Sequence, residues 1–270
     1  EEMRLPFYNK VEELAATAAN MYRLGWHERN GGNISILLDS GETDGLDFVE
    51  AQRRFDTGFD ASALAGRYLL VTGTGKYFKN LEKYPERDLG VIRISGDGAA
   101  AELVWGYTDG GRCTSELPSH LMGHISRLAA DAENRVVMHS HPTNLIAMTC
   151  VHELDSREFT RTLWRMNNEC IMVLPDGVNV LPWQLCGTSD IGVETAREFK
   201  TARVVVWAHH GVYACGASLD DAFGLIESAE KAAEIYLKIA HLPIKGLIED
   251  EQLKKQAAHL GLQVRPGYLD

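Results

Sequence analysis

The sequence predicts one α/β domain over residues 1–270, in which helices cover a mixed, mainly antiparallel sheet. Three observations carry that reading. The chain has 270 residues, 45% hydrophobic and 24% charged, the profile of a protein that buries a large core without disulfide staples. Short apolar runs suited to strands alternate irregularly with longer segments of helical period, and several of the strands lie close enough to be hairpin-linked. No internal repeat and no Pro/Gly/Ser-rich linker divides the chain.

Residues 9–24 form the first helix, with Val11, Leu14, Ala15, Ala18, Met21 and Tyr22 near a 3.6 period and Gly25 as its stop. The Gly31-Gly32 turn leads into a strand over 34–38. Residues 39–66, poor in large apolar groups after Val49, are expected to be a long loop or insertion. Strands follow over 67–72, 91–95 and 101–105. Ser115 is the expected N-cap of a helix running to Ala130, with Glu116 in its first turn and Pro118 tolerated there. A buried-type strand covers 135–138, and a helix opens near Pro142. Two more strands are expected over 170–174 and 203–208, and a closing helix over 218–240 presents Phe223, Ile226, Ala229, Ala233, Tyr236 and Leu237 on one face.

Charge and apolar runs exclude several function classes. The formal net charge is −11 and no Lys/Arg run exceeds two residues, so the basic stripe of a nucleic-acid groove is absent. The longest apolar runs fall far short of the roughly 20 residues of a membrane helix, and the first residues show no apolar signal core. Five scattered cysteines (113, 150, 170, 186 and 215), none spaced C-x-x-C, point to reduced thiols and a cytoplasmic address. Acidity does not exclude a phosphorylated small substrate, because backbone N–H groups can hold phosphate.

Several familiar motifs fail on spacing. Gly73-Thr74-Gly75-Lys76 lacks the earlier glycine and the following Ser/Thr of a P-loop, and Phe78 stands where G-x-G-x-x-G needs its third glycine. There is no G-x-S-x-G elbow and no H-E-x-x-H pair. What remains is His139-Ser140-His141 after the apolar Val136-Val137-Met138. Residues i and i+2 of a strand share a face with Cα atoms about 6.6 Å apart, so both imidazoles can reach one ion at about 2.1 Å. A second apolar run, Val204 to Trp207, delivers His209-His210-Gly211, from which one histidine could complete a His₃ site. A hydrogen-bonded histidine pair is the plainer alternative for the first motif. Glu116, His120 and His124 lie at i, i+4 and i+8 of one helix, either a rival metal face or surface and interface histidines, and spacing does not rank the two faces. Asn30-Gly31-Gly32-Asn33, Thr74-Gly75 and Thr114-Ser115 each fit a plain turn or cap. Together they fit a phosphate monoester held without basic side chains.

Taken in order, 26–33 (WHERNGGN), 71–76 (VTGTGK), 114–118 (TSELP), 139–144 (HSHPTN), 175–177 (PDG) and 210–212 (HGV) resemble the class II aldolase/adducin family, over about residues 10–240. The resemblance implies a three-layer α-β-α fold with a central, mainly antiparallel sheet, and a cyclic homotetramer with sites at subunit interfaces. It implies aldol cleavage of a phosphorylated ketose with one Zn²⁺ per subunit. His139, His141 and His210 match its zinc ligands, and Glu116 its catalytic carboxylate. Asn30, Asn33, Thr74, Gly75, Thr114 and Ser115 match its phosphate pocket. Glu169 matches an acidic residue that enters from a neighbouring subunit. Sibling sugar-phosphate enzymes (epimerases, dehydratases) share the histidine core; a non-catalytic interaction module and a zinc hydrolase are the readings from other classes. Two departures stand out. Thr74 occupies a place where Ser also occurs, which keeps the hydroxyl. His209 stands beside the expected ligand in place of an apolar residue, so a one-residue slip would turn His209 into the site. For Glu116 to move protons near neutral pH, its pKa is expected above the ordinary value of about 4.3, raised by desolvation against the zinc charge.

Overall fold

The computed structural model describes residues 5–269. Its elements are α1 (Tyr8–Arg23), β1 (Asn33–Leu37), β2 (Arg53–Asp56), β3 (Tyr68–Thr72), α2 (Pro85–Asp88), β4 (Leu89–Ile94), β5 (Ala100–Gly106), α3 (Leu117–Ala130), β6 (Val136–Ser140), α4 (Thr143–Val151), α5 (Ser156–Trp164), α6 (Asn168–Val173), β7 (Val178–Leu181), α7 (Ser189–Glu198), β8 (Val204–Trp207), β9 (Gly211–Gly216), α8 (Leu219–Ile239) and α9 (Asp250–Leu260). The nine strands form one sheet in the order β2-β5-β4-β3-β1-β6-β9-β8-β7. Only β7 and β8 pair in parallel; the remaining pairs are antiparallel, as expected from hairpin-linked strands.

Alternation along the strands sorts two faces. Ile34, Ile36, Leu70, Met138, Val206, Val212 and Ala214 pack with apolar residues of α1, α4, α5, α6 and α8. Leu37, Val71, Ile92 and Leu103 face Leu117 and Leu121 of α3. Val137, Val205 and Tyr213 meet Ile191 of α7 and Phe199 just beyond it. The result is helices on both faces of one sheet. Among the described residues no helix is long and apolar enough to cross a membrane.

Most local expectations hold, with shifts of one or two residues at the ends. Three do not. Residues 170–174 were expected as a strand, but they lie in or just after helix α6, because the Asn167 side chain accepts from Cys170 N (3.1 Å) and fixes a helical first turn. The 39–66 segment is not all loop: its Arg53–Asp56 stretch adds edge strand β2 against β5, and Ala61 and Leu64 are buried on the α3 side. The α3 helix starts at Leu117 rather than Ser115, with Glu116 as its cap residue. Ser115 is left exposed, and the Thr114 hydroxyl accepts from Glu116 N instead (3.2 Å).

Candidate metal centre

Antiparallel order brings one set of strand ends together. The start of β1 lies beside the end of β6, with Asn33 opposite His139. The end of β6 lies beside the start of β9, with Ser140 opposite Val212. The β8–β9 turn, which carries His209 and His210, closes over the same edge. His139 is therefore inside β6, His141 is just past it, and His210 reaches in from the adjoining turn.

The three rings form a nearly equilateral triangle. Their centroids are 5.1 Å apart in every pair, at interplanar angles of 76°, 65° and 63°. One nitrogen from each lies within 4.8 Å of the others, and this is the metal-capable group of three found among the described residues. The far sides of two rings are fixed. His139 Nδ1–H donates to Val212 O (3.0 Å), and His141 Nδ1–H donates to Glu28 Oε1 (2.9 Å). Their Nε2 atoms are buried and have no hydrogen-bond partner. That is the outer-shell pattern of metal-ligating histidines, with Nδ1–H tied to carbonyl or carboxylate and Nε2 left as a free lone pair. Burial holds His139 and His210 below the ordinary imidazole range, so both keep the neutral form that a metal needs. The residues present fit a divalent cation.

Backbone geometry makes room for the rings. A Cβ on Gly32 (φ +78°) would overlap the His27 ring and come within 2.7 Å of His139 O. A Cβ on Gly211 would overlap Ser140 O and lie 2.9 Å from His141 Cδ2. His27, buried between Phe78 (rings stacked at 3.9 Å) and the turn, donates from Nδ1 to Gly31 O (2.8 Å), and its burial lowers its pKa to about 3. Gly32→Ala is therefore expected to lower stability by about 1–3 kcal/mol and to weaken metal binding. Urea unfolding and metal titration read both effects, and wild-type values in both would contradict this account of the turn.

The corner after His141 is held from α8. No side chain of its own caps α4. Buried Glu230 does so instead, accepting from Asn144 N and Leu145 N (both 2.8 Å) and from Asn144 Nδ2 (2.7 Å). His209, with φ +61°, turns outward to Cys150, so the register places His210 and not His209 in the triangle.

Glu116 stands against this triangle, its Oε2 3.8 Å from His139 Nε2. Tyr213 Oη–H and Asn33 Nδ2–H (3.1 Å) both donate to that oxygen. The expected upward shift of its pKa is not found. Burial does push it up, but the adjacent His139 ring and the two donated hydrogen bonds outweigh burial and bring it down to about 2, which holds Glu116 as a carboxylate. Tyr213, which also stacks on His139 at 4.3 Å, carried no signal in the sequence.

The remaining site candidates sort by position. Thr114 N donates to Thr72 O and Thr74 N to Arg112 O, which brings 72–75 alongside 112–115. Asn33 lies beside them, since the next residue, Ile34, donates its N–H to the Thr72 hydroxyl (3.0 Å). Thr74, Gly75, Ser115 and Asn30 are exposed around this edge. Glu169 is exposed in the first turn of α6 and outside the histidine cluster. His120 and His124, the rival metal face, are fully buried and hydrogen-bonded to Ser35. A groove of about 1060 Å³ between α3 and α7 is lined by residues such as Met122, Ile125 and Ala196 and lies away from the histidine cluster. A smaller cavity of about 130 Å³ includes Ser115, Glu116 and Trp207.

Residues 12–237 match the family profile of the class II aldolase and adducin N-terminal domain. The chain is 54% identical over 262 residues to the rhamnulose-1-phosphate aldolase of Listeria monocytogenes serotype 4b (strain CLIP80459), covering 96% of both chains. It is 49% identical over 272 residues to that of Enterococcus faecalis (strain ATCC 700802 / V583), covering 99% of this chain and 96% of the other. Among solved structures, a sugar-phosphate aldolase from Thermotoga maritima matches with a TM-score of 0.76 at 27% identity, covering 88% of this chain and 98% of the other.

Proposed function

The chain belongs to the class II aldolase and adducin N-terminal domain family, and from that premise we propose that it catalyses the reversible cleavage of L-rhamnulose 1-phosphate to dihydroxyacetone phosphate and L-lactaldehyde. His139, His141 and His210 would hold one Zn²⁺ per subunit, which would supply Lewis acidity worth several kcal/mol for negative charge developing on the substrate.

The protein's own groups do the rest. Glu116 is the proton carrier at the carbon that becomes C3 of dihydroxyacetone phosphate: its carboxylate takes that proton in the condensing direction and returns it on cleavage. Tyr213 and Asn33 aim Oε2 by donating to it. Exposed Asn30, Thr74, Gly75 and Ser115, with buried Thr114 and Asn33 beside them, hold the phosphate through hydroxyls, amides and backbone N–H groups. Binding energy spent on the phosphate, remote from the reacting bond, positions that bond. Glu169 handles the proton on the aldehyde oxygen from a neighbouring subunit of a homotetramer.

The observation that supports this reading best is the pair of buried, unpartnered Nε2 atoms of His139 and His141 within a three-imidazole cluster, with the Glu116 carboxylate beside it. The test is a substrate panel on the zinc-loaded protein. L-rhamnulose 1-phosphate is expected to release dihydroxyacetone phosphate at a kcat/KM far above those for L-fuculose 1-phosphate cleavage and pentulose-phosphate epimerisation. Preference for either of the latter would move the assignment to a sibling enzyme.

A further inference from the structure

Behind Glu116 the helix face of α3 and the inner face of β1 interlock. Residues two apart on a strand advance about 6.6 Å and residues four apart on a helix about 6 Å, so Asn33 and Ser35 can slot between Glu116, His120 and His124. The contacts alternate accordingly. Asn33 Nδ2–H donates to Glu116 Oε2 (3.1 Å), Asn33 Oδ1 meets His120 Nε2, and Ser35 Oγ lies 2.7 Å from His120 Nδ1 and 2.8 Å from His124 Nε2. Asn33, Ser35, His120 and His124 are all buried, the last three with no exposed surface.

Hydrogen-bond arithmetic leaves this chain one direction. A carboxylate only accepts, so Asn33 must turn its amide N–H to Glu116 and its carbonyl to His120, which must then be protonated on Nε2. Neutral His120 accepts on Nδ1, so Ser35 donates its single proton there. Ser35 Oγ is then free to accept from His124 Nε2–H. The opposite tautomer of His124 would set two acceptors against one hydroxyl proton and bury an orphan N–H; this one leaves only the His124 Nδ1 lone pair unpartnered. Burial keeps both rings neutral, lowering their pKa values to about 4 and about 3.

We propose that Ser35, His120 and His124 are positioning residues: a one-way hydrogen-bond chain, His124 to Ser35 to His120 to Asn33, that locks the Asn33 amide so that its N–H, never its carbonyl, faces Glu116. The other tautomer of His120 would accept from Asn33, flip the amide and place an oxygen lone pair against the carboxylate. The chain thus sets where the Glu116 lone pairs point, at a distance from both substrate and metal. This inference rests on the proton-carrier role given to Glu116 above.

The test compares zinc-loaded wild type with His120→Leu, His120→Gln and Ser35→Ala, and adds 15N-histidine NMR on the metal-free protein. His120→Leu is expected to lose roughly 10- to 100-fold in kcat, with KM and bound zinc near wild type. Gln keeps an N–H near the Nε2 position and is expected to recover most of that loss. Ser35→Ala should fall between the two. In the wild-type spectrum both His120 and His124 are expected as Nε2–H tautomers, and Ser35→Ala should release that of His120. Wild-type kcat in His120→Leu, equal losses in Leu and Gln, or zinc lost in step with kcat would overturn the proposal. If the Leu variant fails to fold, the tautomers decide: an Nδ1–H or doubly protonated His120 overturns it. A wild-type protein inactive on every ketose phosphate would instead reject the functional reading, whereas an active wild type with an indifferent His120→Leu rejects this inference alone.

Discussion

Stripping the metal will abolish aldol cleavage while leaving the fold intact. After EDTA treatment and desalting, turnover is expected to drop by about 10³-fold or more, because Lewis-acid stabilisation of several kcal/mol is lost and each 1.4 kcal/mol is worth about tenfold. Far-UV circular dichroism should hardly change. The strands that carry the ligands are anchored by apolar neighbours independent of any ion: Met138, Val206, Val212 and Ala214 on one face, and Val137 and Val205 on the other. Added zinc should restore turnover. His139→Ala should not be restorable, since it removes one of only three imidazoles in the cluster and the ring that stacks on Tyr213 (4.3 Å) and leans at a tilt against Trp207 (5.2 Å). Full activity in protein shown to be metal-free would reject the scheme outright.

The histidine cluster was legible because it rests on short-range rules. The i, i+2 spacing of His139 and His141 after an apolar strand predicts a shared face, and the second apolar run delivers His210 to the same sheet edge. The mainly antiparallel sheet was legible for a similar reason, since closely linked strands pair as hairpins. What surrounds the histidines was not, because its partners are far apart in the chain. Glu28 reaches His141 across 113 residues, Tyr213 reaches Glu116 across 97, and Glu230 caps α4 across 86. No local pattern marks such pairs. The His120 and His124 spacing was visible, but a helix face says nothing of the strand opposite, and Ser35 turns that face into buried polar packing. Residues 170–174 show the same limit at the level of secondary structure. A five-residue apolar run suits a buried strand or one side of a short helix, and the Asn167 cap decides for the helix. The upward pKa expectation for Glu116 weighed desolvation without the neighbouring His139 ring and the donors Tyr213 and Asn33, which together reverse its sign.

Those two donors make Glu116→Gln the most informative single substitution. Gln has nearly the same shape, and its amide oxygen can still accept from Tyr213 and Asn33, so packing and the histidine triangle should survive. What disappears is the lone pair that carries the proton. Turnover is expected to fall by about 10²- to 10⁴-fold, the range for a lost general base. Bound zinc should be unchanged, and KM should stay within a few-fold because the phosphate edge is built from other residues. Exchange of the C3 proton of dihydroxyacetone phosphate with D₂O, followed by NMR without any aldehyde, isolates the step. It should fall in parallel with turnover in Glu116→Gln. Exchange that persists at the wild-type rate while carbon–carbon cleavage is lost would take the proton away from Glu116 and leave it with an electrostatic role only. Loss of both together with loss of zinc would instead mean that the carboxylate supports the imidazoles, which 3.8 Å from His139 Nε2 makes the one competing account worth testing directly.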